Sequence, residues 1–318
     1  MNKVMQSLNI EKILFMDIEV VRKTKELDIN SREFELYQKK IRNKETDELL
    51  PSDEVIEDYK KRAALKMGYT TIVSIGVGFV KDGEVHIKAL NEGSEEDIIK
   101  QFCTICQSFD YICGMNIIGY DLPMLIVNGF RYFNVVEVLP DRFVTSGKKP
   151  WELKSIIDLM DQFRGTHYAN CSLDEILYHF GLNSSKTELD GSKVSDEYWD
   201  NGVDKISEYV KQDVFANVNV FRKMRFEEIF ENFKDKNSFK VEKLPLLERL
   251  YQNNYLSDEI KVEIQDLIKK KKLTVKDKKN LKDILESSYI RSTFMASDDK
   301  ATVERKQKEI EEFLKTLI

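Results

Sequence analysis

Two apolar, alternating segments, Thr71–Val80 and Val85–Ala89, flank the short stretch Lys81-Asp82-Gly83. Strand-like runs joined by an Asp-Gly turn predict an antiparallel hairpin, because those residues accept the backbone dihedrals that a tight turn demands. A third strand-like segment, Lys12–Val20, precedes them, so the chain is expected to begin its sheet with three antiparallel strands. The pattern then alternates. Ser94–Phe109 reads as a helix, with Ser94 as N-cap and Glu95, Glu96 and Asp97 in the first turn, where the helix dipole favours acids. Tyr111–Met115 reads as a short buried strand. The pattern is helical again from Leu122, with a further strand near Ser155–Leu159 and helices near Ser172–Phe180 and Lys205–Met224. Strands alternating with helices predict an α/β fold with a mixed sheet flanked by helices.

Two segments depart from this plan. Residues Arg22–Lys66, between the first and second strands, form a charged, helix-rich stretch far longer than a hairpin connection needs, and we read 22–67 as an insertion. It either shapes a substrate groove or is a solvated helical excursion. From about Lys234 the composition becomes lysine-rich, with amphipathic stretches at Ser257–Lys272, Thr274–Ser287 and Ser297–Ile318. The expected organisation is therefore a domain over 1–233 and a helical C-terminal region over 234–318. Lys269–Lys272, Lys276, Lys278 and Lys279 have the charge to contact phosphates, but Asp258, Glu259, Glu263, Asp266 and Asp277 are interleaved with them, so a solvated helical face is the favoured reading.

With 50 basic and 56 acidic residues the formal charge is -6, which excludes a broad electropositive field for coating nucleic acid and confines any such contact to a local site. The apolar run at the start, Ile13–Met16, is too short for a signal-peptide core, and no later run approaches membrane-spanning length, so a cytoplasmic protein without membrane contact is expected. Cys103, Cys106, Cys113 and Cys171 are few and irregularly spaced, as reduced thiols are. Cys103 and Cys106 have CxxC spacing but no second pair completes a zinc set, so they read as buried structural residues. His86, His167 and His179 lie near no nucleophile motif and read as structural or surface histidines. A phosphate-binding G-x-x-x-x-G-K-[ST] loop is absent, which removes the basis for an ATP-driven activity.

Three short segments carry the chemistry. In Ile13-Leu14-Phe15-Met16-Asp17-Ile18-Glu19 an apolar strand ends in two carboxylates that the period of two places on one face. Paired carboxylates at the end of a buried strand repel and are costly to desolvate unless a cation lies between them. In Gly114-Met115-Asn116-Ile117-Ile118-Gly119-Tyr120-Asp121-Leu122-Pro123 a strand runs through a Gly/Asn turn and delivers Asp121 to a helix start, where it is a candidate N-cap as well as a candidate ligand. In Tyr209-Val210-Lys211-Gln212-Asp213 the four-residue spacing puts phenol and carboxylate one helical turn apart on the same face. Each segment alone is explained as well by ordinary structure.

Their order, an Asp/Glu pair on a first strand, an Asp after an inner strand and a Tyr/Asp pair on a late helix, resembles the DEDD exonucleases. Tyrosine four residues before the last Asp marks the DEDDy branch; the histidine branch would carry His where this chain has Glu208. The chain is further similar, over about Glu11–Met224, to stand-alone exonucleases related to the proofreading domain of family B DNA polymerases. GMNIIGYDLPML, IIDLMDQFRG, SLDEILYHFGL, LDGSKVSDEYW and ISEYVKQDV carry that similarity, as does the charged insertion. Val20 stands where that family often has Thr, and Tyr120 where it often has Phe; neither change removes a ligand.

The resemblance implies a ribonuclease H-like fold and 3'-5' exonuclease activity with two divalent ions, Mg2+ or Mn2+. It implies that Asp17 bridges both ions, that Glu19 and Asp213 complete one site and that Asp121 supports the other. Tyr209 would orient the attacking water, since a phenol with an ordinary pKa near 10 is a poor base at neutral pH. The backbone around Ile18, the Asn116 side chain and Tyr120 would hold the terminal nucleotide. A single-stranded DNA 3' end is the expected substrate, within replication or repair. RNA trimming and a non-catalytic nucleic-acid- or replisome-binding module are the alternatives, and replication proteins meeting the C-terminal region are an open partner.

Overall fold

The computed structural model describes residues 3–42, 46–164, 170–185 and 191–235. All lie in the first of the two units, 1–239 and 240–318, into which the chain divides. The lysine-rich stretches after Lys234 read from the sequence, and His167, lie outside the described residues.

In chain order the elements are α1 (Lys3–Ser7), β1 (Ile13–Arg22), α2 (Arg32–Lys40), α3 (Ser52–Arg62), β2 (Thr70–Lys81), β3 (Glu84–Leu90), α4 (Glu95–Cys106), β4 (Tyr111–Gly114), α5 (Asp121–Gly129), α6 (Val135–Val138), β5 (Ile156–Asp158), α7 (Leu159–Arg164), α8 (Leu173–His179), α9 (Val194–Asn201), α10 (Asp204–Met224) and β6 (Lys234–Asp235). The six strands form one sheet in the order β5-β4-β1-β2-β3-β6. β1, β2 and β3 are antiparallel neighbours, while β4 runs parallel to β1 and β5 parallel to β4. This is the mixed sheet expected from the alternation of elements, in the ribonuclease H-like form that the resemblance implies. The hairpin turns at Asp82 and Gly83, both at positive φ (51° and 76°), the conformation an Asp-Gly turn favours. Ser94 caps α4 in a reciprocal capping box with Asp97.

Sequence reading missed α9 and the pairing of β6 with β3, because both are short and polar and make no periodic signal of their own.

The insertion has a small core of its own. Leu27, Phe34, Tyr37, Val55, Tyr59 and Ala63 are buried together. The Tyr37 ring meets those of Tyr59 and Tyr69 edge to face at 5.0 and 4.9 Å. Both hydroxyls are satisfied inside it: Tyr37 Oη donates to Asp58 Oδ2 at 2.8 Å and Tyr59 Oη to Glu33 Oε1 at 2.9 Å.

α10 packs against β1, β2 and β3. It comes close because β2 presents glycines beneath it: a Cβ on Gly76 would lie 2.7 Å from Val214 Cγ2 and 2.9 Å from Val210 Cγ2, and one on Gly78 would lie 2.7 Å from Val214 Cγ1. Gly76 is also the β2 partner of Asp17. Among the described residues no helix is long and apolar enough to cross a membrane.

Candidate active site

Asp17 and Glu19 lie in the middle of the central strand β1, and their alternation turns both toward the face that carries α10. α10 supplies Asp213 to the same place. Carboxylate oxygens of Asp17, Glu19 and Asp213 lie within 4.8 Å of one another, the spacing at which one cation is shared. A bulge adjoins the pair: the β1–β2 register slips between Glu19 and Val20, so that Val73 has no opposite number. The Ile72 N–H beside it donates to Glu95 Oε1 at 2.6 Å, and Arg131 and Tyr132 hold the other oxygen of Glu95.

Asp121 arrives by another route. β4 pairs with β1 only as far as Phe15, which leaves the edge of β1 unpaired beyond it on that side. There the Ile18 N–H donates to Asp121 Oδ1 at 3.1 Å. Asp121 is the first residue of α5 and only 3% exposed, so its carboxylate faces the strand rather than solvent.

Four acids in so small a volume disturb one another. Burial, and then the charges of Asp121, Asp213 and Glu19, hold the Asp17 carboxyl well above the ordinary range. Burial, followed by Asp213 and Asp121, does the same to Glu19. Burial pushes Asp121 up to about 7 despite the Ile18 N–H, which favours its charged form. At neutral pH the set is short of positive charge, and all its donors are carboxylate oxygens. Hard divalent cations fit such a site, whereas thiol- and imidazole-seeking metals do not.

Tyr209 is one turn before Asp213 on α10 and is buried, with its ring in a cluster with Val21, Val73, Val194 and Ile206. Its hydroxyl faces the Asp213 carboxylate. Burial and the charges of Asp213, Glu19 and Asp17 push its pKa further up, so the phenol keeps its proton.

The structure thus gathers Asp17, Glu19, Asp121, Asp213 and Tyr209. The other three sequence candidates border this group. The Ile18 side chain is buried and its N–H is engaged by Asp121. Asn116 adopts φ 57°, and a Cβ on Gly119 would lie 2.5 Å from its Oδ1, so the Asn116 amide folds over that glycine. The Tyr120 hydroxyl donates to the Ala64 carbonyl of the insertion at 3.1 Å.

Asp158, at the end of β5, was not singled out from the sequence. Its Oδ1 accepts the N–H groups of Asn116 and Met160, and its Oδ2 that of Ile118, each at 3.0 Å. One carboxylate therefore ties down the turn that delivers Asp121. The available signal was an acid closing the short apolar run Ile156-Ile157, inside a segment already noted for its resemblance.

The cysteines and described histidines take no part. Cys103, Cys106, Cys113 and Cys171 are free thiols, and burial raises the pKa of each. His86 stacks on Phe79, and His179 meets Phe163 and Phe180 edge on.

Compared with known proteins, residues 62–258, more than half of the chain, match a family described as a predicted 3'-5' exonuclease related to the exonuclease domain of PolB. The matched span contains Asp121, Tyr209 and Asp213 and begins after Asp17 and Glu19. No curated protein matches the chain. An exonuclease domain implies a nucleic-acid substrate and a hydrolase. The chain belongs to this family of predicted 3'-5' exonucleases related to the exonuclease domain of PolB.

Proposed function

We propose that the protein is a cytoplasmic two-metal-ion exonuclease of the DEDDy type. It would remove nucleotides from DNA 3' ends, single-stranded by preference, and release nucleoside monophosphates during replication or repair. The observation that carries this reading is the convergence of Asp17, Glu19 and Asp213 within 4.8 Å, with the buried Asp121 beside them.

Divalent cations at such a site neutralise charge on the scissile phosphate and stabilise the leaving 3'-oxygen. Asp17, Glu19, Asp121 and Asp213 are the residues that would hold them. Tyr209, kept neutral by burial and by the acids around it, would orient the attacking water by hydrogen bonding rather than take its proton. Ile18, Asn116 and Tyr120 would border the terminal nucleotide. With the Tyr120 hydroxyl engaged by Ala64, it is the ring that remains for a sugar or base to pack on.

The test uses 5'-labelled DNA and RNA oligonucleotides of one sequence. Full-length protein should shorten the DNA stepwise from its 3' end with Mg2+ or Mn2+ and not with EDTA, and Asp17→Ala should be inert. Preferential trimming of RNA would move the substrate assignment. Cleavage that survives EDTA or Asp17→Ala would overturn the mechanism.

A further inference from the structure

We propose that the insertion carries an apolar ledge, Leu65 with Met67, on which the bases just upstream of the scissile nucleotide stack. This rests on the nuclease reading above. Leu65 is 68% exposed and Met67 43% exposed. Single exposed apolar residues are common on protein surfaces, so exposure alone says little. Two observations and the chemistry of the substrate distinguish this pair.

The turn presenting them is held on both sides. Ala63, immediately before, is fully buried in the core of the insertion. Lys66, between the two, donates through Nζ to Tyr37 Oη and Asp58 Oδ2, both at 2.9 Å. Its N–H donates to the Ala63 carbonyl at 2.9 Å, and its own carbonyl accepts the Tyr69 N–H at 3.1 Å. Apolar side chains projecting from so constrained a turn contact a ligand with little further loss of conformational freedom.

The turn also adjoins the acidic site. The Ala64 carbonyl, next to Leu65, accepts the Tyr120 hydroxyl at 3.1 Å. Tyr120 immediately precedes Asp121, the first residue of α5, whose carboxylate accepts the Ile18 N–H of β1. Leu65 is therefore one residue from a carbonyl bonded to the side chain that directly precedes Asp121.

Finally, the chemistry selects the occupant. A strand whose terminal phosphodiester lies among the four acids must pass its next bases over the rim of the site. Unpaired bases present flat apolar faces, and apolar or aromatic side chains receive them without reading sequence. The ledge fits single-stranded 3' ends and would exclude the intact duplex, whose bases are not free to stack on protein.

The experiment compares full-length wild type with Leu65→Ala, Leu65→Asp and Leu65→Ala/Met67→Ala on two substrates: a single-stranded oligonucleotide, and p-nitrophenyl thymidine 5'-phosphate, which has no upstream base. The variants should lose about tenfold in kcat/KM on the oligonucleotide, mainly through KM, and stay within about twofold of wild type on the nitrophenyl ester. Binding of a fluorescent oligonucleotide in EDTA should weaken by a similar factor, which reads the ledge without metal. Unchanged oligonucleotide KM and binding in the double variant, or an equal loss on both substrates, would overturn the ledge. Wild-type protein inert toward both substrates would instead overturn the nuclease reading, and the ledge with it.

Discussion

The Ile18 N–H donates to Asp121 Oδ1 at 3.1 Å, joining the central strand to the first residue of α5 across 103 residues. This bond sets where Asp121 sits, whereas the charge of Asp121 is what a cation would use. Asp121→Asn separates the two, since an amide oxygen still accepts from Ile18. The variant should lose at least about a hundredfold in oligonucleotide cleavage. In EDTA it should melt no lower than wild type, because one source of like-charge repulsion is gone. Melting curves and end-labelled digestion read the two effects.

The acids also predict how the metal-free protein responds to pH. A carboxyl whose native pKa exceeds its unfolded value binds more protons folded than unfolded between those values, so raising pH across that window destabilises the native state. For Asp121 the window runs from the ordinary 3.8 to about 7, and Asp17 and Glu19 shift in the same direction. Asp58, paired with Lys66, shifts the other way, so its contribution is already complete above its ordinary range. Urea unfolding in EDTA should therefore show stability falling by more than about 1 kcal/mol between pH 5 and pH 8. Mn2+ should restore it at pH 8 and do little at pH 5. A flat profile would mean that the acids are not coupled in the folded protein.

Gly76 sets how closely α10 approaches β1 and β2. A methyl group there would meet Val214, Val210 Cγ2 and the Val210 carbonyl, the last at 3.0 Å. Gly76→Ala should cost about 1–3 kcal/mol in chemical denaturation. It should also reduce cleavage at temperatures where the variant is fully folded, because the displaced helix carries Tyr209 and Asp213.

Asp158 gives a different kind of loss. Asp158→Ala removes the acceptor from the N–H groups of Asn116, Ile118 and Met160, and each N–H left buried without a partner costs about 1–3 kcal/mol. Asp158→Asn retains one acceptor oxygen and should lie between Ala and wild type, in stability by denaturation and in cleavage by the same digestion assay.

How much of this was legible in the sequence depended on how local each relationship is. The strand pair Asp17/Glu19 and the helix pair Tyr209/Asp213 share a face because periods of 2 and 3.6 residues put them there, and periodicity is written in the chain. The Asp82-Gly83 turn and the Ser94 cap were legible for the same reason. Asp158 was not: its partners Asn116 and Ile118 lie 42 and 40 residues upstream, and an acid closing a short apolar run does not say which turn it ties down. Glu95 read as a first-turn helix acid, yet its carboxylate is spent on the N–H of Ile72, beside a bulge that periodicity does not predict. Gly76 and Gly78 lie inside a segment read only as a strand, and nothing local marks them as the place where a helix comes close.

By itself, then, the sequence determined the order of the principal strands β1 to β5 and of the longer helices between and after them, and which acids share a face of one element. Only the tertiary structure decided that these faces meet. Bringing Asp213 to Asp17 and Glu19 requires α10 to lie close over two glycines of β2, and bringing Asp121 requires β4 to stop short so that the Ile18 N–H is left for a side chain. Both are packing relationships between segments distant in the chain, and no local pattern encodes them.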